Sequence, residues 1–559
     1  MPGIDRRQLL AAAPLAGAAL LVGGRAAGAA PVTAPVTAPV TAAPPREPRV
    51  VRPDDPRYPE LTVGNNQRWV SRPDQVVVAV SPEDVVTTVR DAVGAGRRLT
   101  VRSGGHCYED FVHNADTDVV LDLSELRAVG FDAEAKAFSV EPGATLLHVY
   151  ESLYRRWGVT IPGGSCYSVG AGGHIMGGGY GLLSRRHGLT VDHLHGVDVV
   201  VVGADKSVRQ VRATRTHNPD LWWAHTGGGG GNFGVVTRYL LRSPGAPAND
   251  PASDPADLLP RPPSTVLVRA VAVGWAGLDR DRFVRLVGNY GRWHEANSYP
   301  GAAECGLSAI LALNHSSAGA VALLAQIDGD QEGASARLDQ FFAEVLDGVG
   351  LPVRPVTMPA LELGALPELA AARRLPWLHA VRLLGTNTPV LTDPTRRADH
   401  KAAYFRRALT EGQAAVLHRH LSGDGFANPD SGVVLFGYGG QINATDPAAT
   451  AVAQRDSVLK LLVQSFWTEP GDDDENVRWT RELYRDLFAD TGGVPVPGDV
   501  TDGCYINYPD TDLGDERWNT SGVPWSELYY KQNYQRLQQV KRRWDPTNTF
   551  RHAQSVALP

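Results

Sequence analysis

The sequence predicts an α+β protein built in two parts, and three observations carry that prediction. Between residues ~50 and 245, short β-branched runs alternate with short amphipathic helical segments. Residues 245–263 are dense in Pro and Asp and read as a boundary. Beyond them the apolar runs lengthen: VLVRAVAVGWAG and CGLSAILALNHSSAGAVALLAQI read as long strands, and GASARLDQFFAEVLDGVG reads as a helix. That texture predicts an antiparallel sheet covered by helices on one face.

Residues 1–30 open with Arg6-Arg7 ahead of an Ala/Leu-rich run and then small residues. This is the layout of a twin-arginine export signal, which predicts a secreted protein. The apolar run, about 15 residues, is too short to span a bilayer comfortably. Residues 31–48 carry a PVTA repeat. Such a tract has nothing to bury and predicts an extended linker.

The ordered elements then follow. QVVVAV (75–80) predicts a strand and SPEDVVTTVRDAVGAG (81–96) a helix. Ser81 suits the N-cap, Pro82 the first turn, and Val85, Val89 and Val93 recur on one face. LTVRSGG reads as a strand running into a Gly loop, and DVVLDLSEL and AFSVEPGAT as two short strands. TLLHVYESLYRRWG reads as a helix stopped by Gly158, and VDVVVVGADKSVRQV as strand, turn and strand. VVLFGYGGQIN reads as one more strand, and the stretch from Glu516 to Phe550 holds an aromatic-rich C-terminal helix.

Composition narrows the function. The chain has 559 residues, 54 Lys and Arg against 61 Asp and Glu, and a net charge of −7. That balance speaks against a nucleic-acid partner. Cys107, Cys166, Cys305 and Cys504 form no CxxC, so zinc-ribbon and thioredoxin-like readings fail on spacing. His187, His193 and His195 cluster in HGLTVDHLH, with His193 and His195 on one face if the stretch is a strand. No carboxylate or thiol completes a ligand set, so no metal site is expected.

The 59 glycines are not evenly spread. They concentrate in RSGGH (102–106), PGGSCYSVGAGGHIMGGGYG (162–181) and GGGGNFG (228–234). The last contains Gly229-x-Gly231-x-x-Gly234, a formal dinucleotide fingerprint. It is rejected because the β-branched VVTRYLL follows it, where a helix should begin. Backbone N–H groups of consecutive small residues hold anions, and Gly lets a flat ligand lie on the main chain. Three such loops point to a planar, phosphate-bearing ligand. His106 beside Cys107 leaves metal ligation, nucleophilic catalysis and cofactor attachment open.

The motifs VRSGGHCYED, IPGGSCYSVGAGGHIMGGGYGLLSRRHGLTVDHL, GGGGNFGVVT, YINYPD and WDPTNTFRHAQSV together resemble the berberine-bridge-enzyme-like FAD oxidases. The resemblance covers nearly all of the chain after the linker. It implies the fold of vanillyl-alcohol oxidase and p-cresol methylhydroxylase. The FAD-binding domain would then be in two pieces, 49–262 and a C-terminal return at 502–559, with a substrate domain at 263–501.

The resemblance also implies site residues. His106 matches the histidine bonded to the flavin 8α-carbon, and Cys166 the cysteine bonded to flavin C6, leaving Cys107 a bystander. Arg102, Ser103, Gly104 and Gly105 would cradle the pyrophosphate. Gly173, His174, the loop Gly231, Asn232, Phe233, Gly234 and Val235, Asn507, and Phe550-Arg551-His552 would line the cofactor. Tyr508 matches the base that takes the substrate hydroxyl proton, with Tyr505 shaping the site and Tyr180 partnering the base. If 504–508 is a strand, Tyr505 and Asn507 share one face and Tyr508 takes the other, unless a bulge intervenes. A phenol ionises near pH 10, so the base needs a hydrogen bond or a cation to act at neutral pH. Lys460 is one candidate, with a snorkelling surface lysine as the alternative. Tyr438 and Gln441 are others, with sheet packing as the alternative.

The partners expected are a small-molecule substrate and O2. Three substrates compete: a hydroxyl on a bulky polyketide or its sugar, an oligosaccharide oxidised to a lactone, and oxidative ring closure. Trp275, Trp293, Trp377 and Trp467 suit stacking on such substrates or core packing equally.

Overall fold

The computed structural model describes residues 48–559 except 249, 251–252 and 386–388. The expected export signal and most of the linker lie outside the described residues.

The first sheet grows from the register of its parallel strands. Gln75–Val78 and Leu99–Arg102 flank Val119–Asp122 in parallel, and Arg49–Val51 adds an antiparallel edge. The crossover is the helix Pro82–Gly94. Ser81 caps it, its side chain accepting from the Asp84 N–H while the Asp84 carboxylate accepts in return. That reciprocal cap satisfies donors the helix start would leave unpaired. Val85 and Val89 are fully buried, as their spacing predicts. At the end of its strand Arg102 pairs with Asp122 across the ladder (2.7 Å), and the Gly loop begins there.

A second, antiparallel sheet runs Val129–Asp132, Ala137–Val140, Val235–Leu241, Leu194–Val202, Val208–Thr214. The GGGGNFG loop feeds directly into the strand Val235–Leu241, so the dinucleotide-fingerprint reading is correctly rejected. The helix Leu146–Trp157 stops at Gly158, which takes φ +67°.

The largest sheet holds the long strands. Thr265–Gly274, Ala320–Asp328, Leu307–Asn314, Ser431–Gly437, Leu459–Trp467 and Arg397–Phe405 are neighbours in that order, all antiparallel. Helices Ala334–Leu346, Arg280–Asn297, Glu411–Ser422 and Asp473–Leu487 pack side by side over it. Register places Ile310, Phe436, Lys460 and Tyr404 in one cross-strand row. Directly paired residues of antiparallel strands point to the same face.

Three local expectations change. VVLFGYGGQIN is a strand only over Ser431–Gly437; Gly439 and Gly440 take positive φ, and Gly440–Ala444 is a 3₁₀ turn. His193 ends a 3₁₀ turn, Thr190–His193, and does not share a strand face with His195. Its ring nitrogens meet Ser243 (2.9 Å) and the His187 carbonyl (3.0 Å). Residues 504–508 are not a strand, with the consequence described below. All four cysteines are free.

Candidate active site

The three Gly loops converge because no side chain keeps them apart. A methyl on Gly104 would sit 2.3 Å from the Gly170 nitrogen, and one on Gly170 would sit 2.4 Å from Ser103 Oγ. Ser103 itself donates to the Pro142 carbonyl (2.6 Å). Among the described residues no protein group accepts from the N–H groups of Ser103, Gly104 or Gly105. Donors left this way at the carboxyl end of a parallel strand are what a phosphate requires. The residues present therefore fit the diphosphate of FAD.

These loops bound a cavity of about 300 Å³. Its wall includes Arg102, Ser103, Gly104, Gly105, His106, Cys166, Gly173, His174, Gly231, Asn232, Gly234, Val235 and residues 550–552, all expected at the cofactor. Phe233 is an exception: it is buried in the core against His225, behind the loop.

His106 and Cys166 come from different loops and meet at one hydroxyl. His106 Nε2 lies 2.8 Å from Ser168 Oγ, and Cys166 Sγ lies 3.9 Å from the same atom. Burial, helped by the Arg102 charge, lowers His106 to about 4 and keeps its imidazole neutral and nucleophilic. Burial first, then the Glu362 charge, raises Cys166. Cys107 is pushed up to about 12, chiefly by burial.

Opposite them stands a turn in place of the expected strand. The Tyr508 N–H donates to the Tyr505 carbonyl (2.8 Å), closing residues 505–508. The turn carries both phenols to the cavity, their ring centroids 5.0 Å apart and edge to face. Asn507 fixes the turn by donating to Tyr505 OH and to the His174 carbonyl, each at 3.0 Å. Burial pushes Tyr505 up to about 12 and lowers His174 to about 4.

Lys460 settles what lies beside Tyr508. It is 2 % exposed, so the snorkelling alternative fails, and its Nζ donates to Tyr508 OH at 3.1 Å. Burial drops its ammonium to about 7, opposed by the Glu362 charge. Tyr180 reaches this pair through its ring, 4.3 Å from Lys460 Nζ, while its hydroxyl bonds the Gly437 carbonyl. Tyr438 does not line the cavity. It is fully buried and its hydroxyl meets the Gln454 carbonyl (3.3 Å), so the packing alternative holds; Gln441 is likewise off the wall. Trp293, Trp377 and Trp467 are buried in packing, Trp275 stacks on Phe283, and none of the four lines the cavity.

Tyr108 and Glu362 are among the wall residues that carried no expectation. Tyr108 stacks on His400 (3.6 Å between centroids) and on Tyr508 (5.3 Å). Glu362 is the single carboxylate on the cavity wall among the described residues. Burial raises it.

A diphosphate cradle facing a phenol hydrogen-bonded to a buried lysine suits a flavin-dependent oxidase, and comparison with known proteins agrees. Residues 73–209 match the FAD binding domain family and residues 504–557 the berberine and berberine-like family. The chain belongs to the berberine-bridge-enzyme-like FAD-dependent oxidases. It is 48% identical over 509 residues to the aclacinomycin-N/aclacinomycin-A oxidase of Streptomyces galilaeus, covering 90% of this chain and 89% of that one. It is 32% identical over 537 residues to the hexose oxidase of Chondrus crispus, covering 90% and 93%. The structure of GilR, an oxidoreductase of the terminal step of gilvocarcin biosynthesis, in complex with pregilvocarcin, superimposes with a TM-score of 0.84 at 42% identity, covering 91% of this chain and all of that one.

Proposed function

We propose that this protein is a bicovalent FAD oxidase that converts a hydroxyl of a bulky natural product, a polyketide or its sugar, to a carbonyl. The observation that carries this reading is the Lys460–Tyr508 hydrogen bond on the wall that also presents His106 and Cys166. His106 would hold the flavin at its 8α-carbon and Cys166 at C6, alongside the Ser103–Gly105 cradle. Bound FAD supplies the two-electron acceptor for the carbinol hydride and passes the electrons to O2, giving H2O2.

The chain's own part is proton handling. Tyr508 accepts the proton of the substrate hydroxyl, and Lys460 stabilises the phenolate that must form first. Tyr505 and Tyr108 pack against the Tyr508 ring and fix its direction. The similarity to the aclacinomycin oxidase and to GilR favours a bulky natural product. The similarity to a hexose oxidase keeps lactone formation from a sugar as the second reading. Substrate and O2 are the partners proposed, with no nucleic acid and no membrane after signal removal, and secretion by the twin-arginine route.

Covalent attachment is tested by acid precipitation. The flavin should stay with the pellet, His106→Ala and Cys166→Ala should each keep one link, and the double variant none. Free FAD in the wild-type supernatant overturns the reading. Oxygen consumption across glycosylated polyketides, their aglycones and oligosaccharides then separates the two substrate readings.

A further inference from the structure

A single hydroxyl stands between the two side chains expected to hold the flavin. Ser168 Oγ lies 2.8 Å from His106 Nε2 and 3.9 Å from Cys166 Sγ. His106 and Cys166 both line the cavity. Among the described residues His106 Nδ1 has no hydrogen-bond partner, so Ser168 is the one contact that orients this ring through a nitrogen.

The loop delivers that hydroxyl on a fixed backbone. The Val169 carbonyl accepts from the Leu146 N–H (3.0 Å), and the Ala171 N–H donates to the Ala144 carbonyl (2.8 Å). Tyr167 OH donates to the Val381 carbonyl (3.3 Å). Across the gap, a methyl on Gly104 would come within 3.0 Å of the Ser168 carbonyl, so the bare glycine lets the two loops touch. Ser168 itself is exposed, and water reaches its hydroxyl.

One arrangement of protons makes both side chains nucleophiles. A neutral imidazole attacks through the nitrogen that carries no proton. With Nε2 held at Ser168, that nitrogen is Nδ1; the proton then sits on Nε2 and is donated to Ser168 Oγ. The serine O–H is left to point toward Cys166 Sγ, where it favours the thiolate, the reactive form. In the reverse arrangement Ser168 donates to Nε2, the proton sits on Nδ1, and the imidazole has no free lone pair. Burial keeps His106 unprotonated. Burial and the Glu362 charge raise Cys166, and the Ser168 hydroxyl is among the groups that pull it back down.

We propose that Ser168 is a positioning residue for flavin attachment, fixing the His106 tautomer that can attack and turning its own hydrogen toward Cys166. The proposal rests on the bicovalent reading and adds the side chain that lets the two links form. At His106 a C–H bond of the 8α-methyl breaks and a C–N bond forms; at Cys166 the C6–H bond breaks and a C–S bond forms. Each link releases two electrons, which pass through the flavin ring to O2. The carbon-bound hydrogen and the hydrogen of Nε2 or Sγ leave as protons and balance the H2O2 formed.

The test is a time course of acid-stable flavin in the full chain, sampled at intervals after induction, with the linked peptides identified by mass spectrometry. Ser168→Ala is expected to bind FAD at the wild-type ratio while its His106 link forms at least ~10-fold more slowly. The Cys166 link, at the longer distance, should slow less. Ser168→Thr keeps the hydroxyl and should restore both rates. Attachment in Ser168→Ala at the wild-type rate overturns the proposal and leaves the bicovalent reading standing. Loss of all FAD binding in Ser168→Ala marks a merely structural role and also overturns it. Wild-type flavin that acid releases overturns the bicovalent reading, and the proposal with it.

Discussion

A phenol in water ionises near pH 10, and burial pushes Tyr508 further up. Among the described residues, Lys460 is the side chain that donates to its oxygen, at 3.1 Å. Tyr508→Phe should therefore slow flavin reduction by substrate at least ~100-fold, with flavin content unchanged in the visible spectrum. Tyr438→Phe is the contrast. Its hydroxyl meets the Gln454 carbonyl and the Tyr404 phenol, off the cavity wall, so the rate should stay near normal and stability should fall by about 1 kcal/mol in a denaturant titration. His106, Cys166, Tyr508 and Lys460 are legible in the sequence because each sits inside a motif or a matching strand. Tyr108 was within reach, two residues past His106 in RSGGHCYED. Glu362 was not: LELGAL has no spacing that marks a carboxylate at a cavity, and only the fold brings that turn to the wall.

At the scale of elements, the Gly loops behave as spacers whose thickness is a bare backbone. Gly104→Ala should force the 102–105 and 168–172 segments apart, with a destabilisation of about 1–3 kcal/mol and a lower flavin-to-protein ratio on purification. A normal ratio would show that the loops can give without losing the cofactor. Strand and helix texture gave the antiparallel sheet, several strands of the first part and the covering helix Ala334–Leu346, because β-branched runs and amphipathic segments are local signals; the helices Arg280–Asn297, Glu411–Ser422 and Asp473–Leu487 were not read from the sequence. The turn at 505–508 escaped, since Cys-Tyr-Ile-Asn-Tyr alternates as a strand would. The deciding interaction is Asn507 reaching the His174 carbonyl, a contact between residues far apart in the chain. The 3₁₀ turn Gly440–Ala444 escaped for a local reason, since VVLFGYGGQIN opens as a strand and only Gly439 and Gly440, at positive φ, end it.

Across the whole molecule, the C-terminal residues close the flavin loop. Lys541, fully buried, donates to the Asn232 carbonyl (2.7 Å), the Asp545 carboxylate (2.7 Å) and the Phe550 carbonyl. The Val556 N–H meets Asn232 Oδ1 (2.8 Å), and Gln554 donates to the Asp510 carbonyl (2.6 Å). Lys541→Met leaves the buried Asp545 without its cation, so unfolding free energy should drop by about 3–5 kcal/mol, read as a lowered denaturant midpoint. Restoring neutrality with Asp545→Asn in the same chain should recover part of that loss.

That clasp has a consequence for coenzyme capture. Its residue Phe550 lies far along the chain from Ser103, yet both line the same cavity. A variant cut before Lys541 loses that part of the wall and should purify paler, with less coenzyme per protein.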